Sequence, residues 1–152
     1  MIKDADIAQK IIEALGLTDY KVLNDDIILI SFKQQTMGTN QEIEISASHS
    51  HIVVYTEMSH RANPSLMPNI NQLVGRINDY LQIGCLEINH STQKLRFKVG
   101  QIIHPSSNCI PIIKNFFEYH NLMSPKINES IKELVILQKP PIEAINILYT
   151  FN

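Results

Sequence analysis

Three histidines in the first half of the chain are the side chains whose spacing best suits metal chemistry. His49 and His51 lie two residues apart, so on an extended strand both imidazoles face the same side. With His60 nearby in sequence, they could begin a zinc or copper site, because imidazole nitrogen is a common ligand of both metals. No cysteine pair or further ligand stands at the spacing of a known metal motif. We therefore predict solvated surface histidines and no metal site.

Cys109 is the candidate for a reactive thiol. It precedes Ile110 at the predicted start of a helix, where backbone amides favour a thiolate. A single cysteine with a histidine elsewhere in the chain is a weak catalytic pattern, so a structural role is the simpler interpretation. Cys85, in a predicted strand, is expected to be a small buried residue. The remaining histidines stand at the ends of predicted elements and are expected at the surface: His90, His104 and His120.

Other signatures of catalysis are missing from the sequence. The 5 glycines are widely spaced, so neither a phosphate-binding loop nor a dinucleotide fingerprint can be written. Asp25 and Asp26 form a turn pair, while Glu42 and Glu44 alternate along a predicted strand and are expected to face solvent. The sequence therefore predicts a protein without enzymatic activity, with no catalytic, cofactor-binding or metal-binding residues. The alternative is a small metal-dependent or thiol enzyme that uses His49, His51 and His60, or Cys109.

Composition narrows the class of protein. The 152 residues are 44% hydrophobic and 18% charged, which predicts one globular domain over residues 1–152. The net charge of −2 and the lack of a basic run argue against a nucleic-acid partner. No apolar stretch approaches the ~18 residues of a membrane helix, and the acidic start does not resemble a secretory signal. The expected location is the cytoplasm.

The first half of the chain predicts one helix followed by an antiparallel meander. Apolar residues recur at helical spacing from Ile7 to Leu15, and Gly16 suits the left-handed residue that often ends a helix. The period then changes to two, which is typical of strands. The predicted strands, separated by polar turns, cover residues 20–23, 27–33, 42–47 and 51–57.

The middle of the chain predicts a second helix and a hairpin. A polar loop over residues 59–68 leads into an amphipathic helix from about Pro68. A hairpin of residues 85–89 and 93–103 follows, and Glu87 is expected near a cation of its second strand. The apolar stripe of the helix consists of Ile70, Leu73, Val74, Ile77, Tyr80 and Leu81.

The remainder of the chain predicts helices. One covers residues 110–120, another starts at Ser124-Pro125, and a short last helix with Ile142 follows Pro140-Pro141. Because the strands are grouped and do not alternate with helices, the fold class is α+β. The expected architecture is an antiparallel sheet, formed by a meander and a second hairpin, with amphipathic helices flanking it.

Two predicted strands suggest an interaction surface. The strands at residues 27–33 and 51–57 carry apolar side chains on both faces, whereas a sheet with one wet face alternates more cleanly. Their second face must be covered either by the C-terminal helices or by another subunit. The sequence thus predicts a protein-binding module with a protein partner, and a homodimer is one form of it.

The segment from Met67 to Ile103 resembles the middle of the YbjN-like proteins, a bacterial family of proposed regulators. In both, an Asn-containing helix leads through a short turn into a strand, a polar turn and a second strand. The matching positions are Asn71, Ile77, Asn78, Gly84, Leu86, Ile88, Leu95, Phe97 and Val99.

The resemblance implies a fold and a manner of action. YbjN-like proteins are similar in fold to type III secretion chaperones, an α/β sandwich that often dimerises and binds a polypeptide. The family has no established catalytic residues, so none carries over to this chain. The resemblance therefore implies a regulator-like or chaperone-like binding protein.

Overall fold

A computed structural model describes residues 4–18, 20–22, 28–33, 37, 39–46, 51–102 and 110–150. The helices in these ranges are α1 (Asp4–Leu15), α2 (Met67–Tyr80), α3 (Ile110–Val135), α4 (Pro141–Ala144) and α5 (Asn146–Tyr149), with a 3-10 turn at Pro64–Leu66. The strands are β1 (Lys21–Val22), β2 (Ile28–Lys33), β3 (Asn40–Ser46), β4 (His51–Arg61), β5 (Cys85–Asn89) and β6 (Lys94–Ile102).

The strands form one sheet in the order β1-β2-β3-β4-β6-β5. The pairs β1–β2, β2–β3, β3–β4 and β5–β6 are antiparallel. Strands β1 to β4 thus form a meander, and strands β5 and β6 form the second hairpin. The predicted α+β class with an antiparallel sheet and flanking helices is confirmed.

The chain divides into two compact units, each described here by itself. The first contains the described residues of Met1–Thr56 and Val99–His120, and the second those of Glu57–Lys98 and Asn121–Asn152. Strands β4 and β6 and helix α3 each contribute residues to both units. A single domain over residues 1–152 stays a prediction.

The core of the first unit lies on one face of β2, β3 and β4. Ile43 of β3 stands opposite Ile30 of β2 and Val54 of β4, so the three side chains share that face. Helices α1 and α3 cover it with apolar side chains, and all of these residues are buried. The cluster consists of Ile11, Ile12, Ile30, Ile43, Ile52, Val54 and Ile113.

The core of the second unit is built around α2. Its buried residues Ile70, Leu73 and Ile77 are spaced by three and four, as the sequence predicts for one helical stripe. Helix α2 contacts β5 and α4. The hydroxyl of Tyr80 donates to the Leu148 carbonyl at 2.8 Å, which ties α2 to α5. Phe97 of β6, fully buried, adds the largest side chain to this core.

Strand β4 is longer than predicted. The sequence predicts a strand end at residue 57 and a loop from residue 59, but the strand continues to Arg61. Its buried Met58 continues the alternation of the strand. Asn128 of α3 satisfies the polar groups of Ser59 in this extension. Its Oδ1 accepts from the Ser59 amide at 2.9 Å and from the Ser59 hydroxyl at 2.8 Å.

Helix α3 is also longer than predicted, and the expected break between residues 120 and 124 is wrong. The helix runs without interruption through Pro125. A proline inside a helix removes one backbone hydrogen bond and costs about 3 kcal/mol. Burial of Met123, Ile127 and Ile131, spaced by four residues, offsets that cost in the second unit.

Replacing glycine by alanine should have opposite effects on stability at two positions. Gly75 lies in α2, where an added Cβ meets no atom within 4 Å, so Gly75→Ala should stabilise the fold by about 1 kcal/mol. Gly16 follows α1 with φ of +64°, a conformation that costs alanine about 1–2 kcal/mol, so Gly16→Ala should destabilise it. Urea unfolding of both variants measures the difference. If both substitutions stabilised the protein, or both destabilised it, the backbone conformations assigned to the two glycines would be contradicted.

Candidate functional site

The histidines considered for metal binding do not come together among the described residues. His51 starts β4, where its Nε2 lies 3.0 Å from Glu44 Oε1. His60 lies nine residues further along the same strand and belongs to the second unit. In the part of the chain that the structure describes, no three His, Cys, Asp or Glu side chains form a group that could hold a metal. His49 lies outside the described residues.

The thiols give no catalytic arrangement that the structure describes. Cys85 is free and half-buried on β5, so the prediction of a fully buried residue is wrong. Its cross-strand partner is Lys98 of β6. Cys109 and His104 lie outside the described residues. The absence of enzymatic activity stays a prediction.

His120 is the clearest departure from the sequence prediction. It is fully buried in the middle of α3, whereas the sequence places it at a surface helix end. Its Nε2 lies 2.6 Å from the hydroxyl oxygen of Thr56. Thr56 is itself fully buried, and its cross-strand partner Gln41 is buried too. Three polar residues thus form a buried cluster within the first unit. His90, by contrast, is exposed in the turn between β5 and β6, as predicted.

The chemical consequence is that His120 stays neutral. Burial lowers the pKa of its imidazole to about 3, because the charged form loses its hydration. A histidine held neutral at physiological pH either donates to or accepts from the Thr56 hydroxyl, depending on the tautomer. Because the ring is fully buried, the contact acts as a structural tie between α3 and β4.

A charged face lies on β5, β6 and the adjoining end of β4. Lys94 Nζ lies 3.0 Å from Glu57 Oε2, and Lys98 Nζ lies 3.1 Å from Glu87 Oε2. Arg96 also hydrogen-bonds Glu87, which confirms the predicted cross-strand pairing. Burial raises the pKa of Glu87, but the hydrogen bonds and charges of Arg96 and Lys98 outweigh it, so the pKa lies below its usual value. The face carries both signs of charge in mutual contact.

Exposed aliphatic side chains stand where α3 ends and α4 begins. Ile136, Leu137 and Ile142 are 55%, 53% and 59% exposed, and we call these three residues the apolar turn. The sequence predicts a short last helix with Ile142, Ile145 and Leu148, and of these three residues Ile145 and Leu148 are buried.

A left-handed residue and two ion pairs accompany the apolar turn. Gln138 adopts φ of 54°, the left-handed conformation that ends α3. Lys132 lies 2.9 Å from Glu129, and Lys139 pairs with Glu133. The apolar turn is therefore flanked by carboxylates whose charges are neutralised locally. Sequence patterning could not single it out, because its residues continue a stripe that is otherwise buried.

The fold resembles a solved structure. The crystal structure of YbjN from E. coli, a proposed transcription regulator, matches with a TM-score of 0.65 and 14% sequence identity, covering 92% of this chain and 98% of that chain. No protein-family model and no curated protein sequence matches the chain. The match confirms the YbjN-like fold that the sequence predicts, and at this identity it shows the fold alone. Among the described residues, no helix has both the length and the apolar character needed to cross a membrane.

The buried histidine predicts a specific sensitivity to acid. The unfolded chain protonates His120 near pH 6.5 and the folded protein near pH 3, so the unfolded state binds the extra proton between these values. The stability present above pH 6.5 is therefore lost as pH falls, by roughly 1 kcal/mol per pH unit in this window. In His120→Gln, urea unfolding between pH 6 and 4 should show a shallower slope of stability against pH. Identical slopes in the two proteins would contradict the assignment.

Proposed function

We propose that this protein is a non-enzymatic, cytoplasmic protein-binding module, regulator-like or chaperone-like, that contacts its partner through the apolar turn. The observation that carries the proposal is the exposure of Ile136, Leu137 and Ile142, each more than half accessible to solvent. Single exposed aliphatic residues are ordinary at protein surfaces, whereas three of them in the short segment that joins α3 to α4 favour an interaction site.

The energy available from this surface suits a reversible interaction. Burying an aliphatic side chain completely stabilises by about 1.5–3 kcal/mol, so three half-exposed side chains can contribute roughly 2–4 kcal/mol. Glu133 is only 12% exposed and is paired with Lys139, so a partner can approach without removing water from an unpaired carboxylate. Rim contacts must supply the rest of the affinity.

The charge distribution supports a protein partner in preference to DNA. The net charge is −2, and Lys94, Arg96 and Lys98 of the charged face each contact a carboxylate. Phosphate binding would have to break these contacts before it gained its own. A regulator with such a surface acts most readily by contact with another protein, and the description of YbjN as a proposed transcription regulator is compatible with that manner of action.

The proposal predicts that charge in the apolar turn weakens binding strongly and leaves the protein folded. Pull-down from an extract of the source cells, followed by titration of the captured protein, should show a loss of affinity of roughly a hundredfold in Ile136→Asp/Leu137→Asp/Ile142→Asp. The free energy of unfolding of the variant should lie within about 1.5 kcal/mol of the parent's, because each of the three exposed substitutions is worth about 0.5 kcal/mol.

A matched control is available in the first unit. Ile102 is 80% exposed at the end of β6, so Ile102→Asp introduces one carboxylate at an aliphatic position that is more accessible than those of the apolar turn. This control should retain full affinity. Sedimentation of the parent protein distinguishes a second copy from a different partner. Equal affinity in the triple variant and the control would place binding elsewhere, and a strictly monomeric protein that captures nothing would refute the function.

A further inference from the structure

Arg76 of α2 is a half-buried cation without a partner among the described residues. Its Nε is buried and makes no hydrogen bond, and no described carboxylate forms an ion pair with its guanidinium. The two carboxylates closest to it in the fold, Asp79 of α2 and Glu143 of α4, are both exposed. Burying a charged group without a partner is unfavourable, because the group loses hydration and gains no new bond.

The other cations of the second unit are either paired or exposed. Arg61, at the end of β4, is exposed and keeps its hydration. Lys126 donates to the Thr150 carbonyl at 3.3 Å. Among the described residues of this unit, Arg76 thus differs from the other cations in combining burial with the lack of a partner. The cations that contact a carboxylate are Lys94, Arg96, Lys98, Lys132 and Lys139.

Arg76 lies on the side of α2 that faces α4 and α5. Tyr80 marks this side, because its hydroxyl donates to the Leu148 carbonyl of α5. Residues four apart lie on the same face of a helix, so Arg76 stands one turn before Tyr80 on this side. Asn78, which hydrogen-bonds the backbone of Leu86 on β5, projects from the opposite side of the helix.

Helix α4 connects this side of α2 with the apolar turn. It packs against α2, and it carries Ile142, whose side chain is exposed. The axes of packed helices lie about 8–10 Å apart, which about three residues of extended chain can span. A single bound segment can therefore place an aliphatic side chain on the apolar turn and a second group at Arg76.

We propose that the partner segment carries a carboxylate about three residues from its aliphatic contacts, and that this carboxylate pairs with Arg76. The inference rests on the proposed binding through the apolar turn and specifies the chemistry of the partner. A carboxylate suits the site because its two oxygens accept the parallel N–H donors of a guanidinium. The site offers one positive charge, since Lys132 and Lys139 are already paired, so a singly charged group fits it better than a phosphate.

The test is a selection of random short peptides, displayed on phage, against the whole chain. Peptides selected by the parent should be enriched in Asp or Glu about three positions from Leu or Ile. Arg76→Gln should select peptides that keep the aliphatic residues and lose the acidic preference. The control Arg61→Gln removes the same charge at an exposed position and should select as the parent does. The triple variant of the apolar turn should lose the aliphatic preference, which reports on the proposed function separately.

A synthetic peptide taken from the parent's selection measures the size of the effect. Replacing its acidic residue by the corresponding amide should weaken binding to the parent roughly tenfold, because a charge-assisted contact is lost. The same replacement should leave the affinity for Arg76→Gln unchanged. Aliphatic peptides without the acidic preference, or an equal loss of affinity in both proteins, would overturn this inference and leave the proposed function standing. Peptides without an aliphatic preference would contradict the proposed function itself.

A second variant keeps the test decisive if Arg76→Gln does not fold. Methionine fills a comparable volume without a buried donor, so Arg76→Met should unfold at a higher urea concentration than the parent while losing the acidic preference. An arginine with a purely structural role would give the reverse, a lower unfolding midpoint and an unchanged preference. A folded Arg76→Gln or Arg76→Met that selects the same acidic peptides as the parent would overturn the proposal.

Discussion

The alternation of buried side chains along β4 is the constraint on which the described structure depends. Ile52, Val54, Thr56 and Met58 are all buried, while the residues between them are half-buried. A shift of the strand by one residue would turn this whole row toward solvent, so burial fixes the register of β4 against β3. That register in turn determines which polar groups meet inside and which face outward.

Polar side chains supply hydrogen-bond partners for groups that the strand pairing does not satisfy. Thr56 brings a hydroxyl into the buried row, and His120 of α3 supplies its hydrogen-bond partner while remaining neutral. Asn128 supplies an acceptor to Ser59 beyond the last pair with β3, and Asn78 does so for Leu86 on β5. A buried polar group without a partner costs about 1–3 kcal/mol, so the contacts of the buried Thr56 and of the part-buried Leu86 backbone avoid such a penalty.

Sequence patterning was sufficient where a local period decided the structure. The stripe of Ile70, Leu73 and Ile77 predicted α2, and alternating side chains on either side of a polar turn predicted the β5–β6 hairpin. Sequence patterning failed where contacts between residues distant in the chain determine the structure. His120 and Thr56 are separated by 64 residues, so nothing local shows that this imidazole is buried. The break predicted near Pro125 was wrong for the same reason, since burial of residues on either side of the proline outweighs its local preference.

Hydrogen exchange of the protein with and without its captured protein partner tests the proposed manner of action most directly. The amides of residues 133–144 report on the end of α3, the left-handed Gln138 and the start of α4, where the proposed contact lies. The account predicts that the partner slows exchange in this segment more than in the rest of the chain. Slower exchange confined to the first unit, with residues 133–144 unchanged, would contradict it.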